Sequence, residues 1–406
     1  MAHREPGGAA SLEEIVAQKL AQFCCSRREF AYSLAKRHHV SVPAEVEQFF
    51  AAAESGNWEE IEAAFKKING GDSSASWTDK RAPEVNELWP AIIDAYGVAE
   101  QVHLWPAQKL LDYGNAALGA LQPGMVYVGG TDNGRWIPEL LNDTAEGGQH
   151  IIVTQNGLAA SDYLDYLRLQ YDGRLANLSD EDSQRAFQDY MTDAQKRLQH
   201  DQQFPDEPEQ VRPGEDIKVV DGKYQVSGRV AVMAINERLL GMLMQKNPDL
   251  SFAIEESFPL AGTYANALPL GPLMQLQGVS GQNPFDATRA SQTVDYWRST
   301  TQQLLSDPEA TASDTVLRAY SHQTAAAGNL LAAHGFTSDA EAAYRLATQL
   351  YPANPEAVTS MADVLSRSGR QDEARQVLED FSKQYPEQKK SLEQSEAWRL
   401  LWSVKK

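Results

Sequence analysis

The chain is nearly free of cysteine. Among its 406 residues only Cys24 and Cys25 occur, and adjacent cysteines seldom have the geometry to bridge each other. Two neighbouring thiols also fall short of the four Cys or His ligands of a structural zinc site. We therefore expect no structural disulfide and no cysteine-based metal centre, and the sequence indicates neither a bound metal nor a cofactor.

Basic residues are scarce as well. Only 36 Lys and Arg stand against 56 Asp and Glu, which gives this acidic chain a formal net charge of -20. Such a charge repels a nucleic-acid backbone and an anionic membrane surface. We therefore expect no nucleic-acid partner.

Long apolar runs are missing too. No stretch reaches the length of a transmembrane helix, and residues 1–10 lack the apolar core of a signal peptide. We therefore expect a soluble protein with no direct membrane insertion, cytoplasmic by default. The same composition also fits the extracytoplasmic domain of a membrane-anchored relative.

What the chain does contain is an alternation of short apolar runs, glycine-rich loops and helical periods. Residues 124–156 hold a predicted buried strand at 125–128, a loop at 129–135, a short helix and a second strand at 150–154. Units of this α/β kind bind ligands in the loops at the carboxyl ends of their strands. The loop at 129–135 is therefore the default binding site.

Four residues of that loop are the candidate ligand-binding side chains: Thr131, Asp132, Asn133 and Arg135. The loop misses the dinucleotide fingerprint and lacks the Lys of a phosphate loop, and Asp132 already places a negative charge at the start of a helix. A sugar hydroxyl, a peptide group or a metal-bound ligand suits these side chains better. Alternatively, Asp132 and Asn133 cap the helix, and Arg135 pairs with Glu139 four residues later.

The alternation continues beyond this unit. Two alternating strands flank Asp221-Gly222, a helix is predicted at 229–247, and further strands are predicted at 250–254 and 273–277. We therefore expect an α/β domain with a mixed sheet and flanking helices over residues 83–280. The other predicted segments are a helical N-terminal segment at 1–70 with a hairpin at 44–68, a linker at 71–82, a connecting helical segment at 281–318 and an all-helical region at 319–406.

Small residues, glycines and prolines recur in the C-terminal third with a period of about 34 residues. The first unit contains Gly328, Gly335, Ala340, Tyr344, Ala347 and Pro352, and the second contains Ala362, Gly369, Ala374, Leu378, Phe381 and Pro386. The small residues let paired helices approach closely, the glycines turn each hairpin, and the prolines end each second helix. The pattern resembles tetratricopeptide repeats, and we expect a final helix at 390–404 to cap the exposed end. The N-terminal hairpin at 44–68 resembles a degenerate half of such a unit.

A second resemblance covers about half the chain. The Gly-Gly-Thr-Asp-Asn loop between two strands, residues 233–247, Ser251-Phe252, and Tyr264 through residues 269–273 resemble the soluble segment of bacterial protein O-mannosyltransferase-like proteins. In that family an Asn/Asp-containing loop follows the first soluble strand, and Asp132-Asn133 fall at that place. The membrane half, where glycosyl transfer would occur, has no counterpart here. The resemblance therefore implies a fold and leaves the activity aside.

Two functions remain open on the sequence. The first is a non-catalytic scaffold whose helical repeats dock a partner polypeptide, because the chain offers no Ser-His-Asp, Cys-His, metal or phosphate-loop constellation and hence no catalytic residue. The second is a carbohydrate-binding or glycosyl-transfer-related protein, in which the loop at 129–135 holds a sugar and Glu255 or Glu256 acts as an acid/base neighbour. The sequence leaves the oligomeric state open. It does not decide whether the groove of the repeats is open or packed on the α/β domain.

Overall fold

The structure, a computed structural model, describes residues 10–69, 81–147, 150–212, 214–220, 223–276, 285–393, 395 and 398. Within these ranges the chain is mostly helical and carries a mixed sheet of five strands and a separate two-stranded hairpin. No helix in those ranges is both long and apolar enough to cross a membrane. A mixed α/β fold with helical regions at both ends is thus confirmed. The domain boundaries stay predictions, and most of the linker at 71–82 lies outside the described residues.

Helices α1 to α9 belong to the first two thirds of the chain. They are α1 (Leu12–His38), α2 (Ala44–Ser55), α3 (Trp58–Ile68), α4 (Pro83–Leu104), α5 (Ala107–Ala120), α6 (Asn133–Asp143), α7 (Ser161–Gln170), α8 (Asp180–Gln203) and α9 (Arg229–Lys246). The strands are β1 (Val126–Gly129), β2 (Ile151–Thr154), β3 (Asp216–Val220), β4 (Lys223–Ser227), β5 (Phe252–Ile254), β6 (Ala267–Leu270) and β7 (Leu273–Leu276). The remaining helices are α10 (Ala287–Ser306), α11 (Pro308–Thr311), α12 (Asp314–Ala333), α13 (Thr337–Leu350), α14 (Pro355–Arg367), α15 (Gln371–Gln384) and α16 (Lys389–Glu393).

The five-stranded sheet has the order β2-β1-β5-β7-β6. Strand β1 is parallel to β2 and to β5, whereas β7 is antiparallel to β5 and to β6. The sheet is therefore mixed, as predicted. The chain leaves β1 through α6 and reaches β2 on one side of β1. On the other side of β1 lies β5, followed in the sheet by β7 and then by β6. The strand order therefore changes direction between β1 and β5, and a crevice forms at the carboxyl ends of strands at such a point.

Two features of the strands differ from the sequence prediction. Strand β6 occupies residues that the sequence indicated as a turn, because Pro269 and Gly271 are typical turn residues. Proline is tolerated there since β6 is the edge strand of the sheet. Strands β3 and β4 pair with each other in the predicted antiparallel hairpin but do not join the main sheet. The predicted turn at Asp221-Gly222 lies outside the described residues.

A buried group of ion pairs fastens the N-terminal helices to the sheet domain. Arg27 on α1 lies 2.9 Å from the Oε1 atom of Glu139 on α6. Asp94 on α4 accepts hydrogen bonds from Arg135 at 2.7 Å and from the Tyr166 hydroxyl at 2.9 Å. Removing one partner from such a buried pair leaves an uncompensated charge and costs about 3–5 kcal/mol. These contacts therefore set the position of α1 and α4 relative to α6.

The C-terminal helices form successive packed pairs. Helix α12 packs on α13, α13 on α14, and α14 on α15. Gly328 on α12 lets α13 approach, since a Cβ atom there would lie 2.5 Å from the ring of Tyr344. Gly335 and Gly369 have φ values of 80° and 79°, where glycine is favoured, and each follows the first helix of a pair. Gly335 and Gly369 therefore lie at the turns between paired helices.

The remaining residues of the predicted pattern serve packing or chain reversal. Ala340, Tyr344, Ala347, Ala362 and Ala374 are buried at helix contacts. Pro352 lies in the turn between α13 and α14, and Pro386 begins a short 3-10 turn after α15. The final helix predicted at 390–404 falls mainly outside the described residues, and only its start is described, as part of α16.

Candidate functional site

A cleft of about 1440 Å³ opens at the carboxyl ends of β1 and β5. The loop after β1 and the loop after β5 form one side of it. The opposite side is formed by α12 and α14, through Thr315, Arg318, Ala319, His322, Asn354, Glu356 and Thr359. The cleft therefore lies where the sheet changes direction, and it is shared by the α/β unit and the helix pairs.

Three of the four predicted loop residues border this cleft. Asp132 is the N-cap of α6 and accepts a hydrogen bond from the Gly134 amide at 3.0 Å. Asn133 donates to the Tyr113 hydroxyl at 2.9 Å, and the exposed Thr131 hydroxyl accepts from Asn156 at 3.2 Å. Asp132 thus caps the helix, as one alternative predicted, and still faces the cleft.

Arg135 is the loop residue that the structure does not bring to the cleft. Its guanidinium is 2% exposed and pairs with Asp94 and, at 3.5 Å, with Glu139. Successive helical residues are about 100° apart, so a residue two positions after Asn133 points to the opposite side. The pairing with Glu139 is the one expected from the sequence if the loop residues serve the helix rather than a ligand. Arg135 therefore serves the buried ion pairs that fasten α1 and α4 to α6.

Glu255 and Glu256 follow β5 and are 3% and 4% exposed. Because side chains alternate along an extended chain, the two carboxyl groups point in different directions. Glu255 lines the cleft and accepts hydrogen bonds from Ser257 at 3.2 Å and from Tyr113 at 3.5 Å. Glu256 is held by the Tyr264 hydroxyl at 2.5 Å and by Asn329 on α12 at 3.1 Å. Glu255 is therefore the carboxyl group available to a ligand.

Both carboxyl groups hold their proton more tightly than an exposed glutamate does. Burial raises the pKa of Glu255 to about 8, and the nearby charge of Asp132 adds to the increase, while His322 opposes it. Burial, together with the charge of Glu356, raises the pKa of Glu256 to about 7. Near neutral pH, Glu255 is therefore largely protonated in the unoccupied cleft.

His322 connects the two sides of the cleft. Its Nδ1 atom lies 3.0 Å from a carboxylate oxygen of Glu356, and its Nε2 atom lies 3.2 Å from the carbonyl oxygen of Ser257. Since both nitrogens face acceptors, the imidazole ring is doubly protonated. Burial lowers its pKa, but Glu356, Glu255 and Glu256 outweigh burial and raise the pKa to about 10. The imidazolium ion thus ties α12 to α14 and to the loop after β5.

Sequence reasoning missed the part of the site that α12 and α14 supply. His322, Ser257 and Glu356 are distant in sequence from the loop at 129–135, and no spacing rule relates them. One usable signal was present, since His322 and Gln323 are large polar residues in a stretch of α12 whose other members are small, apolar or aromatic. Polar residues inside an apolar period indicate a polar contact.

The described part of the chain holds no group of three or more His, Cys, Asp or Glu side chains that could bind a metal ion. The arrangement offers instead five carboxyl groups, two arginines, an imidazolium ion, hydroxyl groups and an apolar border that includes Phe258 and Leu260. Such a site can hold hydrogen-bonding or cationic groups. No family model, curated protein or solved structure matches the chain.

Proposed function

We propose that the protein is a non-catalytic scaffold that docks a segment of a partner polypeptide in this cleft. The observation that carries the proposal is the open space between the loops after β1 and β5 and helices α12 and α14. Its volume of about 1440 Å³ exceeds the roughly 300–1,000 Å³ of ordinary small-molecule pockets. An extended chain of several residues fits such a space better than a single small metabolite does.

The arrangement of the helix pairs supports this proposal. The first helix of each pair, α12 and α14, contributes to the border of the cleft, whereas no described residue within α13 or α15 does. Stacked helix pairs of the tetratricopeptide kind, which the sequence resembles, use one extended face to bind partners. The partner would accordingly lie along α12 and α14.

The chemistry of the border also suits a polypeptide. Thr315, Arg318 and Thr359 offer hydrogen-bonding groups on the helical side, and Met233 and Phe258 offer apolar surface on the other side. A peptide needs both, because its backbone carries obligatory donors and acceptors while its side chains gain from burial.

The proposal is tested by site-specific photo-crosslinking. A photoreactive amino acid replaces Thr359 in the cleft or, as control, Gln376 on the exposed surface of α15. The proteins are irradiated in lysate of the source cells, and we expect one defined polypeptide adduct from position 359 and none from position 376. A purified segment of that partner should then compete with the adduct. Identical adduct patterns from the two positions, or no adduct from position 359, would refute the proposal.

A second function is favoured by the polar groups of the β1 and β5 loops alone. Asp132, Asn133 and Ser257 present carboxylate, amide and hydroxyl groups that suit the hydroxyl groups of a sugar. The resemblance to the soluble segment of O-mannosyltransferase-like proteins points in the same direction. The test is binding of the protein to a glycan array. If Asn133→Ala abolishes this binding and Thr359→Ala retains it, the result favours a carbohydrate ligand over a polypeptide.

A further inference from the structure

We infer that the polypeptide in the cleft is basic and that one of its Lys or Arg side chains places its charge between Asp132 and Glu255. This inference rests on the proposed docking function and adds the chemical class of the partner. Charge complementarity in the cleft is its main support.

The border of the cleft is predominantly acidic. It includes the carboxyl groups of Glu100, Asp132, Glu237, Glu255 and Glu356. Among the described residues of the border, the opposing charges are two arginines and a histidine, and Glu356 already pairs with that histidine at 3.0 Å. With a formal net charge of -20, the whole chain attracts a basic segment and orients its approach.

Glu255 differs from the other buried acids of the fold in its partners. Asp94 and Glu139 each lie beside arginine guanidinium groups, and both oxygens of Glu256 accept close hydrogen bonds. Within the described ranges, neither Glu255 nor Asp132 has a Lys, Arg or His nitrogen within 4.0 Å. Glu255 is 3% exposed, lines the cleft and accepts hydrogen bonds from the Ser257 and Tyr113 hydroxyl groups. Near neutral pH Glu255 is largely protonated, because the charge of His322 only partly offsets its burial, and a ligand cation beside it would favour the ionised carboxylate.

The two carboxyl groups converge on the first turn of α6. The Asp132 carboxylate accepts from the Gly134 amide, and a Cβ atom on Gly134 would lie 2.0 Å from the Oε2 atom of Glu255. Gly130 makes room in the same way, since its Cβ atom would lie 2.1 Å from the Ser257 hydroxyl and 3.3 Å from an Asp132 oxygen. Asp132 and Glu255 are thus near neighbours at one end of the cleft. A cation between them would be attracted to both.

Peptide selection followed by affinity measurement tests the inference. A display library of random peptides about twelve residues long, which span roughly 40 Å when extended, is panned against the full chain. Fluorescence anisotropy then gives the affinities of the selected peptides. We expect peptides enriched in Lys or Arg, and replacing the key Lys by norleucine should weaken binding about tenfold.

Matched protein variants locate the cation. Glu255→Gln and Asp132→Asn keep the shape of each side chain, and Asn still caps α6. Each should lower the affinity of the Lys-containing peptides about tenfold and leave the norleucine peptides unchanged. The control is Glu59→Gln, which removes the same charge from an exposed side chain on α3. It should alter the affinity less than twofold.

The possible outcomes separate the inference from the proposed function. Loss of binding in Thr359→Trp shows that a peptide binds in the cleft. If such peptides carry no preferred cation, the inference is overturned and the docking function is left intact. The same holds if Glu255→Gln and Asp132→Asn bind the Lys peptides as the unaltered chain does. If no selected peptide is sensitive to Thr359→Trp, the docking function itself fails.

Discussion

Gly134→Ala is predicted to destabilise the fold although it replaces glycine within a helix. The added Cβ atom would lie 2.0 Å from the Oε2 atom and 2.3 Å from the Cδ atom of Glu255. Glu255 is 3% exposed and contacts Tyr113 and Ser257, so its carboxyl group has little space to move away. Overpacking of this kind costs about 1–3 kcal/mol, whereas alanine gains only about 0.5–1 kcal/mol over glycine in a helix. We expect a net loss of about 1–2 kcal/mol in the free energy of unfolding.

The chain offers a matched control for this change. Gly119 lies in α5, and a Cβ atom added there would meet nothing within 4 Å. Gly119→Ala should therefore show the helical gain without the clash and stabilise the protein by about 0.5–1 kcal/mol. The two variants together separate helix propensity from packing.

A double-mutant cycle assigns the cost to Glu255. In a Glu255→Ala background the clashing atoms are gone, so Gly134→Ala should behave like Gly119→Ala. The coupling energy between the two positions should be about 1–3 kcal/mol, measured by denaturant unfolding of the four proteins under one condition. The placement of Glu255 against α6 would be refuted if the Gly134→Ala protein had the same free energy of unfolding as the Gly119→Ala protein. A coupling energy near zero would refute it as well.

Three further predictions concern the buried charges and the helix pairs. Arg135→Met should lower the free energy of unfolding by about 3–5 kcal/mol, because Asp94 and Glu139 lose a counter-charge. It should leave peptide affinity unchanged, and a selective loss of binding would contradict the interior position of Arg135. The stability should fall as pH rises from about 5 to about 8, because the folded chain holds protons that the unfolded chain has already released. The groups concerned are Glu139, Glu255, Glu256 and, above about pH 6.5, His322. Glu255→Gln should make this decline shallower. If the free energy of unfolding of the variant falls with pH as steeply as that of the unaltered chain, the prediction is wrong. Gly328→Ala should cost about 1–3 kcal/mol in denaturant unfolding, because its Cβ atom meets the Tyr344 ring at 2.5 Å, and a neutral effect would contradict the close contact of α12 with α13.

The local elements of the fold were predictable because each has a local cause. The apolar run of β1 and the capping side chain Asp132 both act over a few residues. The hairpin of β3 and β4 and the turns at Gly335 and Gly369 were predictable for the same reason. Strand β6 was missed because its turn-forming residues override the alternation that indicates a strand.

The site as a whole was not predictable, because it depends on the order of strands in the sheet. The position of Glu255 beside the first turn of α6 follows from the parallel pairing of β5 with β1, in which Val128 aligns with Ile254. Alternation along a strand predicts that Glu255 and Glu256 diverge, but it does not say which of them reaches the β1 loop. The contribution of His322 depends in addition on how α12 packs against the sheet.

The contacts around the cleft also determine how a ligand would bind. His322 joins α12 to the carbonyl of Ser257, Asn329 joins α12 to Glu256, and His334 contacts the carbonyl oxygen of Tyr264 at 2.7 Å. These bonds run from one helix to the segment between β5 and β6, and they hold α12 at a set distance from the sheet. A ligand therefore meets a cleft whose two sides are already positioned, and little ordering entropy opposes binding. Selectivity must then come from the groups inside the cleft, where neither Asp132 nor Glu255 has an ion-pair partner among the described residues.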